Sequence, residues 1–117
     1  MNSRIYVSNK LESRFIEPKD VLYLTAVSGR IMVHYEAGGK EKIIDIEGSL
    51  KDMEARLGKD GFLRIHKSYI VNIGRIATVE NDWVTLDSKR DVKLPTSRGF
   101  LRLLKERLKG RDDVIVL

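Results

Sequence analysis

The sequence predicts a single, mainly β domain with two short helices, near residues 49–57 and 97–109 of the 117. Short runs of β-branched and aromatic residues alternate with glycine-containing turns along most of the chain, a pattern typical of strands. Two segments instead repeat apolar residues at helical spacing and are followed by glycine. The length fits one domain and leaves no room for a second. We therefore expect residues 1–117 to form one domain.

The predicted strands lie between turn residues and are rich in Val, Ile and aromatic side chains. Val21–Val27 is the clearest of them, and Ser28 and Gly29 end it. Gly38 and Gly39 predict a tight hairpin turn, because glycine readily adopts the positive φ that such turns require. The predicted strands comprise residues 14–17, 21–27, 31–35, 42–47, 63–66, 75–80, 83–86 and 91–94.

Each predicted helix has recognisable ends. The Ser49 hydroxyl can accept a hydrogen bond from the backbone N–H near Asp52, as in a capping box, and Gly58 suits a left-handed stop. The second helix is expected to start near Thr96 or Ser97 and to end before Gly110. Its apolar stripe is predicted to face the core and contains Phe100, Leu101, Leu104 and Leu108.

Positive charge is concentrated in the second half of the chain. The net charge is +5, and residues 1–58 carry nine basic and nine acidic side chains, so the excess comes from residues 59–117. Between residues 89 and 111, nine basic side chains face only Asp91 and Glu106. On composition alone, this segment fits a solvated helix and a surface that binds a polyanion equally well.

Composition and spacing argue against several kinds of site. Cysteine is absent from the sequence, which excludes disulfides, thiolate metal sites and cysteine nucleophiles. His34 and His66 are not at a metal-ligand spacing from each other, and the glycines form no phosphate-binding motif. No apolar run approaches a membrane span and the N-terminus lacks a secretion signal, so we expect a soluble, cytoplasmic protein. We expect no catalysis, no cofactor and no bound metal.

Residues 62–73 combine apolar residues with a compact polar group. We interpret His66 and Asn72 as side chains that bond local backbone groups in a turn. Lys67 differs from them, because a cation on a short rigid loop between apolar anchors is well placed to contact a phosphate or a base edge. The segment therefore predicts one nucleic-acid contact within an otherwise structural element.

Residues 62–76, FLRIHKSYIVNIGRI, resemble the signature of the LytTR family of bacterial DNA-binding domains, which usually occur as output domains of response regulators. Two further segments match the family in the same order: VLYLTA at residues 21–26 and LPTSRGF at residues 94–100. The resemblance covers roughly residues 14–108. It implies a sequence-specific duplex-DNA-binding module of a bacterial transcription regulator, built as an elongated arrangement of three small β-sheets with short helices.

By position, the resemblance implies DNA contacts from loops that enter successive major grooves. Arg30 and Arg98 follow small-residue turns, from which a guanidinium can grip guanine O6 and N7. Whether Arg30 reaches a base or only a phosphate stays open. We also expect the free N–H groups of Ser97 and its neighbours to favour a phosphate at the start of the last helix. The candidate DNA-binding residues are Gly29, Arg30, His66, Lys67, Ser68, Lys93, Ser97, Arg98 and Arg102.

The expected partner is duplex DNA with repeated half-sites, bound by a homodimer, because one domain offers few base-reading groups. No membrane and no small-molecule substrate are expected. The residues before Val21 are too few for the receiver domain that commonly precedes this module. We therefore expect either a fragment of a longer regulator or a stand-alone one.

Two alternatives from other classes stay open. One is an RNA or single-strand binder, although such proteins usually need exposed aromatic rings and aromatics make up only 7% of this chain. The other is a basic protein-interaction module whose positive face meets an acidic partner.

Overall fold

The computed structural model describes residues 3–117 and contains three antiparallel sheets and two α-helices in that range. Its principal dimensions are 45, 32 and 28 Å. The helices are α1 (Leu50–Leu57) and α2 (Phe100–Lys109). The strands are β1 (Ile5–Ser8), β2 (Ser13–Ile16), β3 (Val21–Val27), β4 (Arg30–Ala37), β5 (Lys40–Glu47), β6 (Phe62–His66), β7 (Tyr69–Asn72), β8 (Ile76–Val79), β9 (Trp83–Leu86) and β10 (Lys93–Pro95).

A five-stranded sheet with the order β5-β4-β3-β7-β6 lies at the centre of the molecule. Two-residue turns connect β3 to β4 and β4 to β5. Ser28 and Gly29 have φ of 49° and 78° in the first turn, and Gly38 and Gly39 have φ of 58° and 76° in the second. Positive φ at both positions suits the right-handed twist of the flanking strands and fixes their register. The two turns lie at opposite ends of β4.

The five-stranded sheet buries both of its faces. Ile70 and Val71 are neighbours in β7, both are fully buried, and they belong to different cores. The β1–β2 sheet and α1 cover the first core, where Leu50 packs. The three-stranded sheet, in the order β10-β9-β8, and α2 cover the second, where Leu94 and Phe100 pack. Each large side chain buried in this way contributes about 1.5–3 kcal/mol, so the two cores hold the three sheets together.

The predicted fold class is confirmed, and each predicted strand agrees with an observed one to within two residues at both ends. The predictions miss two strands, β1 and β7. β7 follows β6 after a turn that contains no glycine, proline or asparagine, so the sequence shows one continuous segment where the structure has two strands. β1 pairs with β2 across a turn that begins at Asn9.

α1 begins as predicted, because Ser49 Oγ accepts a hydrogen bond from Asp52 N at 3.1 Å. The predicted left-handed stop at Gly58 is wrong. Gly58 has φ −59° and continues the chain into one turn of 3-10 helix, Gly58–Asp60. Gly61, with φ 86°, provides the left-handed residue instead, and the reversal there leads directly into β6. A tight 3-10 turn at a helix end delays the reversal in this way.

α2 begins at Phe100, three residues after the predicted position. Thr96 N donates to Asp82 O at 2.9 Å, and Ser97 N donates to Ile65 O at 2.7 Å. These backbone bonds tie residue 96 to the β8–β9 turn and residue 97 to β6, so neither residue joins the helix. The segment before α2 is therefore a braced loop.

Two of the four apolar residues assigned to the core-facing stripe of α2 are fully buried. Phe100 and Leu104 lie in the second core, and Leu108 is partly buried against it. Leu101 is 46% exposed, so its assignment to the stripe is wrong. One residue advances a helix by 100°, which turns Leu101 away from the face that Phe100 buries.

Candidate functional site

Three connections meet at one end of the five-stranded sheet: the β3–β4 turn, the β6–β7 turn and the segment between β10 and α2. Ser68 O of the β6–β7 turn accepts from Ala26 N at 3.3 Å, near the end of β3 and just before the β3–β4 turn. Ser97 N of the third connection donates to Ile65 O at 2.7 Å, near the end of β6 and just before the β6–β7 turn. We call this surface the loop end. It comprises residues 28–30, 66–68 and 96–98.

The β6–β7 turn presents Lys67 to solvent at the loop end. His66 Nδ1 accepts a hydrogen bond from Ser68 N at 3.1 Å, which fixes the turn from within. The His66 ring also lies 5.7 Å from the Tyr69 ring. His66 thus bonds a local backbone group, as expected. The exposed Lys67 ammonium has no ion-pair partner among residues 3–117.

Arg98 is exposed in the braced loop before α2. It follows Ser97, whose amide bonds to β6 two residues before Lys67, so Lys67 and Arg98 project from neighbouring backbone segments. The expectation of a free N–H at Ser97 is wrong, because Ile65 O already accepts that donor. An anion at this point would therefore meet side chains, above all the Arg98 guanidinium.

Arg30 also lies at the loop end, but its guanidinium is paired. Nε is 2.7 Å from Asp45 Oδ2, and Nη1 is 3.8 Å from the Glu47 carboxylate. Asn9 Nδ2 donates to Asp45 O at 2.8 Å, which fixes β5 against the β1–β2 turn. The two carboxylates outweigh the single positive charge, so a free, outward guanidinium is not observed. Beside it, Gly29 has φ 78° and faces open space, and the backbone there is accessible.

The other two candidates lie beside the loop end. Lys93 is on β10, where Nζ is 5.4 Å from the Trp83 ring centre and 4.0 Å from Glu80. Arg102 is exposed in the first turn of α2, on the side away from the buried Leu104. Arg102 therefore adds an uncompensated cation next to the loop end, whereas a carboxylate partly compensates Lys93.

Much of the basic run between residues 89 and 111 is used inside the molecule. Three of its side chains bond other segments, Lys89 with Gly39 O, Arg90 with Glu41, and Arg107 with Gly58 O and Phe62 O, and Arg111 pairs with Asp113 two residues further on. Other side chains in the run have no ion-pair partner within residues 3–117. These are Arg98, Arg102, Lys105 and Lys109. Within this run, the free positive charge therefore lies at the loop end and on the solvent face of α2.

The buried side chain of Asn72 has a structural role. Nδ2 donates to Pro18 O at 3.0 Å and to Val21 O at 2.8 Å, and Oδ1 accepts from Gly74 N at 3.1 Å. These bonds join the end of β7 to the start of β3. The predicted bond to a local backbone group is confirmed at Gly74, but the prediction missed the two bonds to Pro18 and Val21, which are distant in the sequence.

His34 is half-buried, and its ring stacks on the Tyr23 ring at a centroid distance of 4.1 Å. Burial lowers the pKa of the His34 imidazole, and the nearby Arg90 guanidinium lowers it further. His34 is thus a neutral packing ring at pH 7. Within residues 3–117, no group of three His, Cys, Asp or Glu side chains is placed to hold a metal ion. No helix of the described part of the chain has the length and hydropathy to cross a membrane.

Comparison with known proteins assigns the chain to a family. The family model of the LytTr DNA-binding domain matches residues 12–109. An uncharacterized response regulatory protein of Vibrio cholerae is 30% identical over 99 residues, which cover 80% of this chain and 37% of the relative. The sensory transduction protein LytT of Bacillus anthracis is 29% identical over 94 residues, which cover 78% and 37%. The chain therefore spans 37% of the length of these curated relatives.

A solved structure has the same fold. A LytTr DNA-binding domain from Bacillus cereus matches with a TM-score of 0.65 at 22% identity, over 91% of this chain and 96% of that one. The family match confirms the DNA-binding function expected from the signature at residues 62–76. The chain therefore belongs to the family of LytTr DNA-binding domains, the kind of module that response regulators carry.

Proposed function

We propose that the loop end binds a specific duplex DNA site, and that this domain is the DNA-binding module of a bacterial transcription regulator in the cytoplasm. The observation that carries the proposal is the convergence of three connections at one end of the sheet, where Ser68 O accepts from Ala26 N of β3 and Ser97 N donates to Ile65 O of β6. A rigid edge of this kind suits the major groove, which is about 12 Å wide. Flexible loops would lose more conformational entropy on binding.

Within this proposal, Arg98 reads a base and Lys67 binds a phosphate. A free guanidinium at the tip of a braced loop can donate two parallel hydrogen bonds to guanine. The compact ammonium of Lys67 acts as a point charge, which suits the backbone. Arg30 contributes less, because the carboxylates of Asp45 and Glu47 repel phosphate oxygens. Gly29 allows the backbone of the first turn to approach the duplex closely.

Affinity in this scheme comes mainly from counterion release by the uncompensated cations of the loop end and of Arg102. Specificity comes from the few side chains that reach base edges. It also comes from the energy needed to bend the DNA toward these side chains, which depends on the DNA sequence. His66 fixes the shape of the β6–β7 turn, because its Nδ1 accepts a hydrogen bond from Ser68 N. We therefore assign His66 a role in shaping the DNA-binding turn and no catalytic role.

Two copies of the domain on repeated half-sites would supply the specificity that one copy lacks. A single specific module has few base contacts, and each mismatched base pair costs only about 1–3 kcal/mol. Sedimentation of the domain on its full site should therefore give two protomers per duplex at saturation. One protomer per duplex at saturation would contradict this arrangement.

Selection of duplexes from a random pool tests the proposed function. We expect enrichment of one motif, present twice at a fixed spacing. The same oligonucleotides as single strands serve as the control and should bind weakly. Equal affinity for single strands, or a pool that stays random after repeated rounds, would overturn the proposal.

Lys67→Ala should weaken binding to all duplexes by a similar factor, because a phosphate contact carries no sequence information. The slope of log K against log salt should become shallower by about 1, the value expected for one lost phosphate contact. Titrations at several salt concentrations measure this slope. Lys51→Ala on α1, which removes an equally exposed lysine, is the matched control and should leave the slope unchanged. An unaltered slope in Lys67→Ala would remove Lys67 from the interface.

Arg102→Ala should also make the salt slope shallower by about 1 while leaving base preference unchanged. The reason is its position in the first turn of α2, next to the loop end and without an internal partner. Arg56→Ala on α1 is the control, since Arg56 is also exposed. Identical slopes for Arg102→Ala, Arg56→Ala and the wild type would contradict this contact.

A further inference from the structure

The side chain of Arg64 is bonded to the backbone of the β6–β7 turn. Nη2 donates to Lys67 O at 2.7 Å, and Nε donates to His66 O at 3.4 Å. On its other side, Nη1 lies 3.9 Å from Glu54 of α1. The side chain is 30% exposed and therefore partly shielded from water. The guanidinium of Arg64 is thus already bonded within the domain in the absence of a ligand.

This arrangement controls the direction of the Lys67 side chain. The guanidinium is a flat group whose N–H donors point in fixed directions, so two donors on consecutive carbonyls fix the two peptide planes relative to each other. The Cα–Cβ bond of Lys67 lies between those planes. A lysine at position 64 would keep the charge but would lack this fixed pair of donors.

Other bonds hold the rest of the turn. Ser68 N and Ser68 O are bonded to His66 Nδ1 and Ala26 N, respectively. Neither bond involves a polar group of Lys67. The Lys67 carbonyl is held by Arg64, and no other side chain in residues 3–117 donates to it. Ser68 N belongs to the same planar peptide as Lys67 O, so its bond to His66 Nδ1 also restrains the peptide after Lys67. Loss of Arg64 would therefore leave His66 O and Lys67 O without a side-chain donor and loosen the peptide before Lys67 most.

We propose that Arg64 is a positioning residue for the DNA-contacting turn, and that it acts on binding through Lys67 and not by contact with DNA. The inference rests on the proposed function of the loop end. It assigns a role to a residue that the sequence pattern shows only as a cation inside the apolar run of β6.

The test compares Arg64→Ala and Arg64→Lys with the wild-type domain on the selected duplex and on a scrambled one. We expect both variants to lose about tenfold in affinity for the selected and the scrambled duplex alike, as for one lost charge-assisted hydrogen bond to a phosphate. The salt slope should become shallower by about 1 in Arg64→Lys, as in Lys67→Ala, and lysine should not rescue affinity. Arg56→Ala is the control and should behave as wild type.

Two results would overturn the inference. Full rescue by lysine of both the affinity and the wild-type salt slope would mean that Arg64 itself contacts a phosphate. A lowered melting temperature, with the affinity of the folded variants unchanged for both duplexes, would mean that Arg64 only stabilises the fold. In the double variant Arg64→Ala/Lys67→Ala, the two losses should not add, because both act through one contact.

A measurement without DNA separates this inference from the proposed function. Backbone order parameters of residues 66–68 should fall in Arg64→Lys while those of the 38–39 turn stay unchanged. If the wild-type domain bound no duplex, the proposed function would be wrong. The order parameters would still show whether Arg64 fixes the backbone of the β6–β7 turn. Unchanged order parameters at residues 66–68 would contradict the positioning role.

Discussion

Arg98→Ala is expected to lower affinity for the selected duplex by about 1–3 kcal/mol and to relax the base preference at one position of the site. Arg98 is exposed, has no ion-pair partner in the described residues and follows an amide that is bonded to β6. Its side chain therefore extends from a braced backbone with its guanidinium free, so a two-bond contact to guanine is available. Affinities for a panel of single-base variants of the site measure both effects.

Lys109→Ala provides the matched control for Arg98→Ala. Lys109 is an exposed cation of the same basic run, but it lies at the far end of α2, about 14 Å along the axis from the start of the helix. We expect its replacement to leave base preference intact. If Arg98→Ala weakened all duplexes equally and kept the same base preference, Arg98 would be a phosphate contact only.

Asn72→Ala is expected to lower the free energy of unfolding by about 2–4 kcal/mol. The replacement removes three hydrogen bonds and leaves the carbonyls of Pro18 and Val21 without this donor at a site where Asn72 is only 6% exposed. A buried polar group that loses its partner costs about 1–3 kcal/mol. Urea unfolding measures the change, and the m-value should stay constant if the transition remains two-state.

Asn81→Ala is the control, because Asn81 is exposed in the β8–β9 turn and its replacement should change stability by less than about 0.5 kcal/mol. Base preference of the folded Asn72→Ala protein should match that of the wild type. A variant with normal stability and altered base preference would show that Asn72 is a recognition residue instead.

Local patterns in the sequence predict the fold class and most strand boundaries, since they depend on neighbouring residues. The double-glycine turn at residues 38–39 and the Ser49 cap are examples. β7 is different, because it exists as a strand through pairing with β3, whose residue Tyr23 lies opposite Val71. No local turn signal separates it from β6, so the long-range pairing was not visible.

At the site, the sequence predicts which segments form the loop end. It does not predict as well whether each side chain there is free or already paired. The two-residue turn at residues 38–39 fixes the β4–β5 register, which places Glu47 opposite Arg30 and Asp45 diagonally from it. The ion pair of Arg30 could therefore have been predicted from the sequence. The start of α2 could not, because it depends on the bond from Ser97 N to Ile65 O, whose partners are 32 positions apart.

The central claim is that the loop end faces the duplex, and amide chemical-shift mapping of the labelled domain on its selected duplex tests it most directly. We predict shifts at residues 28–30, 66–68 and 96–98. We predict none at the 38–39 turn, which lies about 24 Å away at the other end of β4. Shifts centred on residues 38–39 and 89–90, with the loop end unchanged, would contradict the account.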